Sequence, residues 1–314
     1  MDAISLLVSA GADVNHRGPS SSSPLHLAAN VNSPKLVSWL LSNGAEATSA
    51  LDDGTTPLHC ACQTGDGSAV AAVLLEHAAS LLYRTRKSTM GMMGITVLHD
   101  AAEFADLMTV RVLLQHKVDV DAVTSTGITA LHIAAKDGHV DVVAELLLHG
   151  AQIDALASDA KGSDVCPLLY AVENNHPAVV ATLEDAGASV NVSRSYSGRT
   201  HVTCLHLATM RQNVEMVRHL LAVPGINANA CDSDDATALH IAARSGFVDV
   251  AELLLQHGVD VNTGMKSGQC SDQTALHCSV RYRHVELARM LLAAGADVNA
   301  TEKMAACKVP SGEL

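Results

Sequence analysis

Residues 129–150 read TALHIAAKDGHVDVVAELLLHG, and this stretch decides the fold. It opens on Thr129, a hydroxyl residue able to accept a hydrogen bond from the free amides of a helix's first turn. A short Ala-rich run follows to Gly138, a residue suited to the left-handed conformation that stops a helix. A second run places Val140, Val143 and Leu147 at helical spacing, with Leu146 widening the same apolar face, and ends at Gly150. Each helix is only two or three turns long and cannot stand alone, so its apolar face must be buried against neighbours.

The neighbours are copies of the same phrase. Leu-His recurs at Leu25-His26, Leu58-His59, Leu98-His99, Leu131-His132, Leu205-His206, Leu239-His240 and Leu276-His277, with Leu168-Leu169 filling the one gap. The spacings are 33, 40, 33, 37, 37, 34 and 37 residues, a base period of 33 with insertions. Each unit with the dipeptide opens on a candidate N-cap hydroxyl: Ser23, Thr56, Thr96, Thr129, Thr203, Thr237 or Thr274. Proline follows at Pro24 and Pro57, where its missing N–H costs nothing. Gly65, Gly138 and Gly246 are candidate ends of the first helix; Gly11, Gly44, Gly150, Gly187, Gly258 and Gly295 end the second. The insertions, at about 80–94, 156–165 and 192–202 with a smaller one at 263–272, all fall between units.

The phrases TTPLHCA, TALHIAA and TCLHLAT, with the closing GADVN, GASVN and GVDVN, resemble the ankyrin repeat family over nearly the whole chain. The resemblance implies an all-α solenoid of stacked helix-turn-helix units with hairpin-like loops. It also implies that the insertions lengthen fingers on a concave binding side. A repeat array over residues 1–300 is expected, with a partial first repeat at 3–17, about eight further repeats, and a short disordered tail at 301–314. Residues 3–15 match only a second helix, and no polar capping repeat follows residue 299, so the polypeptide is expected to be part of a longer one or an incomplete gene product.

Composition excludes several classes of function. The net charge of −13 argues against nucleic-acid binding and against a membrane-surface protein, both of which need clustered Lys and Arg. No apolar run approaches the ~20 residues of a membrane helix, and no secretory signal opens the chain. A soluble protein of the cytoplasm or nucleus is expected, its eight cysteines reduced.

The phased histidines suggest a metal site, but helices pack about 8–10 Å apart and zinc needs nitrogens about 2 Å from one ion. They are read as hydrogen-bonding residues at the start of the first helix. Cys60 and Cys62, two apart on a helix, are read as one core and one surface residue. No GxSxG, HExxH, Walker or complete GxGxxG motif is present, and the repeat gives most candidate catalytic side chains a structural reason to exist. Neither enzyme activity, cofactor, metal nor small-molecule substrate is expected.

In the ankyrin family, function lies at finger tips and at the two residues ending the first helix. Those pairs are Asn30-Val31, Gln63-Thr64, Glu103-Phe104, Lys136-Asp137, Glu173-Asn174, Met210-Arg211, Arg244-Ser245 and Arg281-Tyr282. Phe104, Lys136, Met210, Arg211, Arg244, Arg281 and Tyr282 are the candidate partner-binding residues, the last five suited to a protein or peptide bearing acidic groups. Asn15, Asn191, Asn262 and Asn299, each eight residues after a leucine, resemble ankyrin asparagines modified by an asparaginyl hydroxylase. The competing reading of these four is a loop residue closing its own turn. A protein-interaction scaffold or adaptor is expected. The alternatives are a receptor subunit of a cullin-RING ubiquitin ligase lacking its C-terminal box, and the regulatory part of an ankyrin-bearing enzyme or channel.

Overall fold

The computed structural model describes residues 2–77, 85–87, 92–158, 164–267, 270–301 and 303–304. They form two compact units, residues 1–188 and 189–314. The first unit begins with α1 (Asp2–Ser9) and continues with five helix pairs. These are α2 (Pro24–Asn30) with α3 (Pro34–Ser42), α4 (Pro57–Cys62) with α5 (Ser68–His77), and α6 (Val97–Glu103) with α7 (Leu107–Gln115). The last two are α8 (Ala130–Asp137) with α9 (Val140–Leu148), and α10 (Pro167–Glu173) with α11 (Pro177–Asp185). In the second unit the pairs are α12 (Cys204–Met210) with α13 (Val214–Ala222), α14 (Ala238–Ser245) with α15 (Val248–Gln256), and α16 (Ala275–Arg281) with α17 (Val285–Ala293). Within each unit first helices pack on first helices and second on second, as a nearest-neighbour stack requires.

The insertions are antiparallel hairpins. They are β1 (Thr85–Arg86) with β2 (Ile95–Thr96), β3 (Ala157–Ser158) with β4 (Asp164–Val165), β5 (Ser193–Tyr196) with β6 (Arg199–Thr203), and β7 (Met265–Ser267) with β8 (Cys270–Gln273). The tail is not wholly irregular: β9 (Lys303–Met304) pairs with β8, and the remainder, 305–314, lies outside the described residues.

The phased leucines are the core. Leu25, Leu58, Leu98, Leu131, Leu168, Leu205, Leu239 and Leu276 are all buried. The second-helix face differs from its expected composition: in α9 the buried residues are Val142, Val143 and Leu146, while Val140 and Leu147 are half-buried. The inward face is turned so that consecutive valines both meet the stack. Cys60 and Cys62 are both buried, because α4 is packed between α2 and α6 and has little solvent face. The glycines at second-helix ends take positive φ as expected. Gly138 and Gly246 do so as first-helix C-caps, whereas α4 is capped at Gln63, two residues before Gly65.

Candidate interaction surface

Every Leu-His unit begins with a reciprocal cap. The backbone N–H of the Ser or Thr N-cap donates to Nδ1 of the histidine three residues on, at 3.1–3.3 Å. The cap hydroxyl meets the same nitrogen at 2.8–2.9 Å. With Nδ1 accepting, the ring is the neutral Nε2–H tautomer. That N–H donates to a carbonyl of the following repeat at 2.9–3.2 Å: His26 to Thr55, His99 to Ile128, His132 to Val165, His206 to Ala236 and His240 to Gln273. His59 Nε2 has no such partner among the described residues. Burial disfavours the charged ring and pushes all six pKa values down, those of His59, His132 and His240 to about 4.

A second histidine set, at the turn between paired helices, escaped the sequence reading. Nε2 of His139 donates to the carbonyl of Glu103, His176 to that of Lys136 and His284 to that of Arg244, at 2.9–3.2 Å. These carbonyls belong to the last turn of the preceding first helix, so the chain bearing the variable pair is pinned by the next repeat. The signal was present in GHV, NHP and RHV, each about seven residues after the first dipeptide.

Of the candidate partner-binding residues, Lys136 and Arg244 are pinned in this way, and Phe104 directly follows the pinned Glu103. Phe104, Lys136, Arg211, Arg281 and Tyr282 are exposed, while Met210 and Arg244 are half-buried, so the pairs are less uniformly exposed than expected. In the second unit the guanidinium of Arg211 lies 5.9 Å from the ring centre of Tyr196 on the β5–β6 hairpin, and Arg194 lies 5.5 Å from it. Arg281 borders a largely apolar hollow lined by Leu276, Val280, Leu292 and Val298. Phe104 and Lys136 lie in the first unit.

Three of the four asparagines stand in turns held by another side chain. The bond is made by an aspartate two residues earlier: Asp13 to Asn15, Asp260 to Asn262 and Asp297 to Asn299, at 2.8–2.9 Å. The side-chain amide instead reaches the next repeat. Asn15 Nδ2 donates to Gly44 O and its Oδ1 accepts from Glu46 N; Asn191 does the same with Gly225 and Asn227, and Asn262 with Gly295 and Asp297.

One buried ion pair was also missed. Asp100, fully buried in α6, takes a two-pronged contact from Arg86 of β1, locking the finger onto its own helix. Isolated charges in a periodic sequence announce no partner, so nothing in VLHDAAE pointed to Arg86. Among the described residues, no group of three or more His, Cys, Asp or Glu is placed to hold a metal ion, and no helix is long and apolar enough to cross a membrane.

Known proteins agree with this geometry. The family model for ankyrin repeats matches residues 1–86, 77–157, 98–194, 168–265 and 205–302, and the chain belongs to the ankyrin repeat family. It is 33% identical over 105 residues to a putative ankyrin repeat protein, L371, of Acanthamoeba polyphaga mimivirus, covering 33% of this chain and 13% of that one. It is 33% identical over 101 residues to the nuclear factor NF-kappa-B p105 subunit of Gallus gallus, covering 32% and 10%. These matches span about an eighth and a tenth of the relatives' length. The crystal structure of the human ASB11 ankyrin repeat domain superposes with a TM-score of 0.61 at 25% identity, covering 76% of this chain and 99% of that one. Ankyrin repeats are in general protein–protein interaction modules.

Proposed function

We propose that the chain is a non-catalytic scaffold or adaptor, working in the cytoplasm or nucleus, that captures a partner protein or peptide on its fingers and first-helix ends. The observation that carries the reading is the division of labour between repeat positions. Phased Leu, His, Asn and Gly are consumed by packing and by bonds to the next repeat, whereas the helix-end pairs have side chains of differing chemistry, three of them on a backbone pinned by the next repeat. Met210, Arg211, Arg244, Arg281 and Tyr282 form the set suited to acidic groups, and Arg and Tyr are frequent energetic centres of interfaces. Phe104 and Lys136 are the corresponding contacts of the first unit.

The test is capture of a fluorescein-labelled peptide of four Leu-Glu-Pro repeats, with crosslinking, by the wild-type chain and by a triple variant, Arg211→Glu, Arg244→Glu and Arg281→Glu. Loss of capture with unchanged far-ultraviolet circular dichroism is expected. Equal capture by a folded triple variant refutes the assignment of these residues. The four asparagines are proposed as hydroxylation targets on their resemblance alone. Absence of an added oxygen in the intact mass after co-expression with an asparaginyl hydroxylase refutes that.

A further inference from the structure

The acidic excess belongs almost entirely to the first unit. Residues 1–188 carry 21 acidic and nine basic side chains, whereas residues 189–314 carry twelve and eleven. Two of the first unit's cations are engaged within the fold, Arg86 with Asp100 and Arg111 with Glu145. Exposed carboxylates stand on both parts of the candidate surface: Asp52, Asp53 and Asp164 on fingers, Glu103 and Asp137 at helix ends.

The same fingers also expose apolar side chains. Met93, Val123 and Leu156 are 53%, 56% and 64% exposed, and Phe104 is 46% exposed at its helix end. Val123 and Leu156 occupy the same place in successive fingers. Each precedes the residue that closes the finger base, Thr124 by its N–H to Ile128 O at 2.9 Å, Ala157 by pairing with Val165. The three fingers are fastened side by side, Ser125 N donating to Met93 O at 2.8 Å and Ser158 N to Thr126 O at 2.7 Å. Three exposed apolar side chains are therefore carried by neighbouring fingers that are hydrogen-bonded to one another. A row of this kind rimmed by charge is the usual mark of an interaction site.

We propose that this row binds an extended basic segment of another protein, in which every third residue is aliphatic and the residues between carry Lys or Arg. The spacing follows from geometry. Successive repeats are about 10 Å apart, and a chain in polyproline-II conformation returns the same face every three residues, about 9.3 Å along. Each aliphatic residue then meets one finger. The cations between are matched by the exposed carboxylates of the fingers and helix ends, Glu103 and Asp137 among them, which outnumber the neighbouring Lys136. The inference rests on the reading of fingers and helix ends as the working surface, and gives the first unit a ligand of opposite sign to that of the second.

The probe is a fluorescein-labelled peptide of four Leu-Lys-Pro repeats, titrated with the full chain by fluorescence anisotropy. Saturable binding that weakens with salt is expected, reduced about tenfold or more by Val123→Ser with Leu156→Ser, and similarly by Glu103→Lys with Asp137→Lys. Two controls carry matched double changes on second helices: Leu148→Ser with Met108→Ser, at residues 79% and 55% exposed, and Asp141→Lys with Asp185→Lys, at exposed carboxylates. Neither should alter binding. Equal weakening by the controls reduces the effect to general charge and stickiness and overturns the proposal. So does absence of binding at about 1 mM peptide. The Leu-Glu-Pro peptide run in parallel separates the two ideas: a chain that captures it but not the basic peptide refutes this inference alone, and a chain that captures neither refutes both.

Discussion

Lowering the pH from 7 to 5 should cost the folded chain about 5 kcal/mol through three histidines alone. His59, His132 and His240 have folded pKa values of about 4 against 6.5 for the free side chain. The folded value lies below the unfolded one, so the unfolded chain binds more protons as the pH falls. Stability held above pH 6.5 is lost progressively towards pH 4, with no further loss below that. Linkage gives about 2 kcal/mol, or slightly less, per histidine between pH 7 and 5. His26, His99 and His206 are shifted in the same direction by burial and add to the effect. Glu103 opposes it, because burial and the neighbouring Asp100 push its carboxyl up. The assay is urea unfolding by circular dichroism at pH 7, 6 and 5 and constant ionic strength, for the wild type and His132→Gln. The glutamine variant should start less stable, since the Thr129 amide and the Val165 carbonyl lose the imidazole between them. Its loss between pH 7 and 5 should be smaller than the wild type's by about 2 kcal/mol. A wild-type midpoint independent of pH over this range, or an undiminished pH response in His132→Gln, refutes the reasoning.

Three further outcomes follow from the buried contacts. Arg86→Ala should destabilise by about 3–5 kcal/mol by leaving the Asp100 carboxylate buried and unpaired, whereas Arg86→Leu with Asp100→Leu should cost far less; urea midpoints of the two variants decide. Gly138→Ala should cost about 2–5 kcal/mol, because φ is +84° and the new Cβ would lie 2.5 Å from Nδ1 of His176. Gly150→Ala, with a similar φ and open space, should cost only about 1–2 kcal/mol in the same urea titrations. Iodoacetamide at neutral pH should alkylate Cys231 and spare Cys60, Cys62, Cys166, Cys204 and Cys278 in the native protein, because the five are buried and Cys231 is exposed; peptide mass mapping reads the result.

The periodicity made the helix pairs, their caps and the finger insertions legible, since each is local or repeats at a fixed offset. Thr129 and His132 are three residues apart, and their bond is implied by a helix start alone. Contacts across about 14 to 40 residues were not legible in the same way. That His176 pins Lys136, or that Arg86 ends on Asp100, depends on how far successive repeats are rotated and on where an inserted finger folds back. The exposure of Met210 and Arg244 was misjudged for a related reason. Position within a repeat fixes which way a Cα–Cβ bond points, but the following repeat decides how much of the side chain it covers.

That dependence of each repeat on the next bears directly on the surface. The carbonyls of Glu103, Lys136 and Arg244 are held by imidazoles of the following repeat, and Asn15, Asn191 and Asn262 clamp the loop of the following repeat with both ends of the amide. A helix end fixed from outside its own repeat has little backbone freedom left to lose on binding, so a partner's cost falls mainly on its own chain and on long side chains such as Lys136 and Arg281. Substituting one of these framework residues should therefore loosen the neighbouring repeat's variable pair and raise the cost of capture without touching a contact residue. Weak binding by such a variant would be a positional effect, separable from loss of a contact because it should be relieved by rigidifying the same turn.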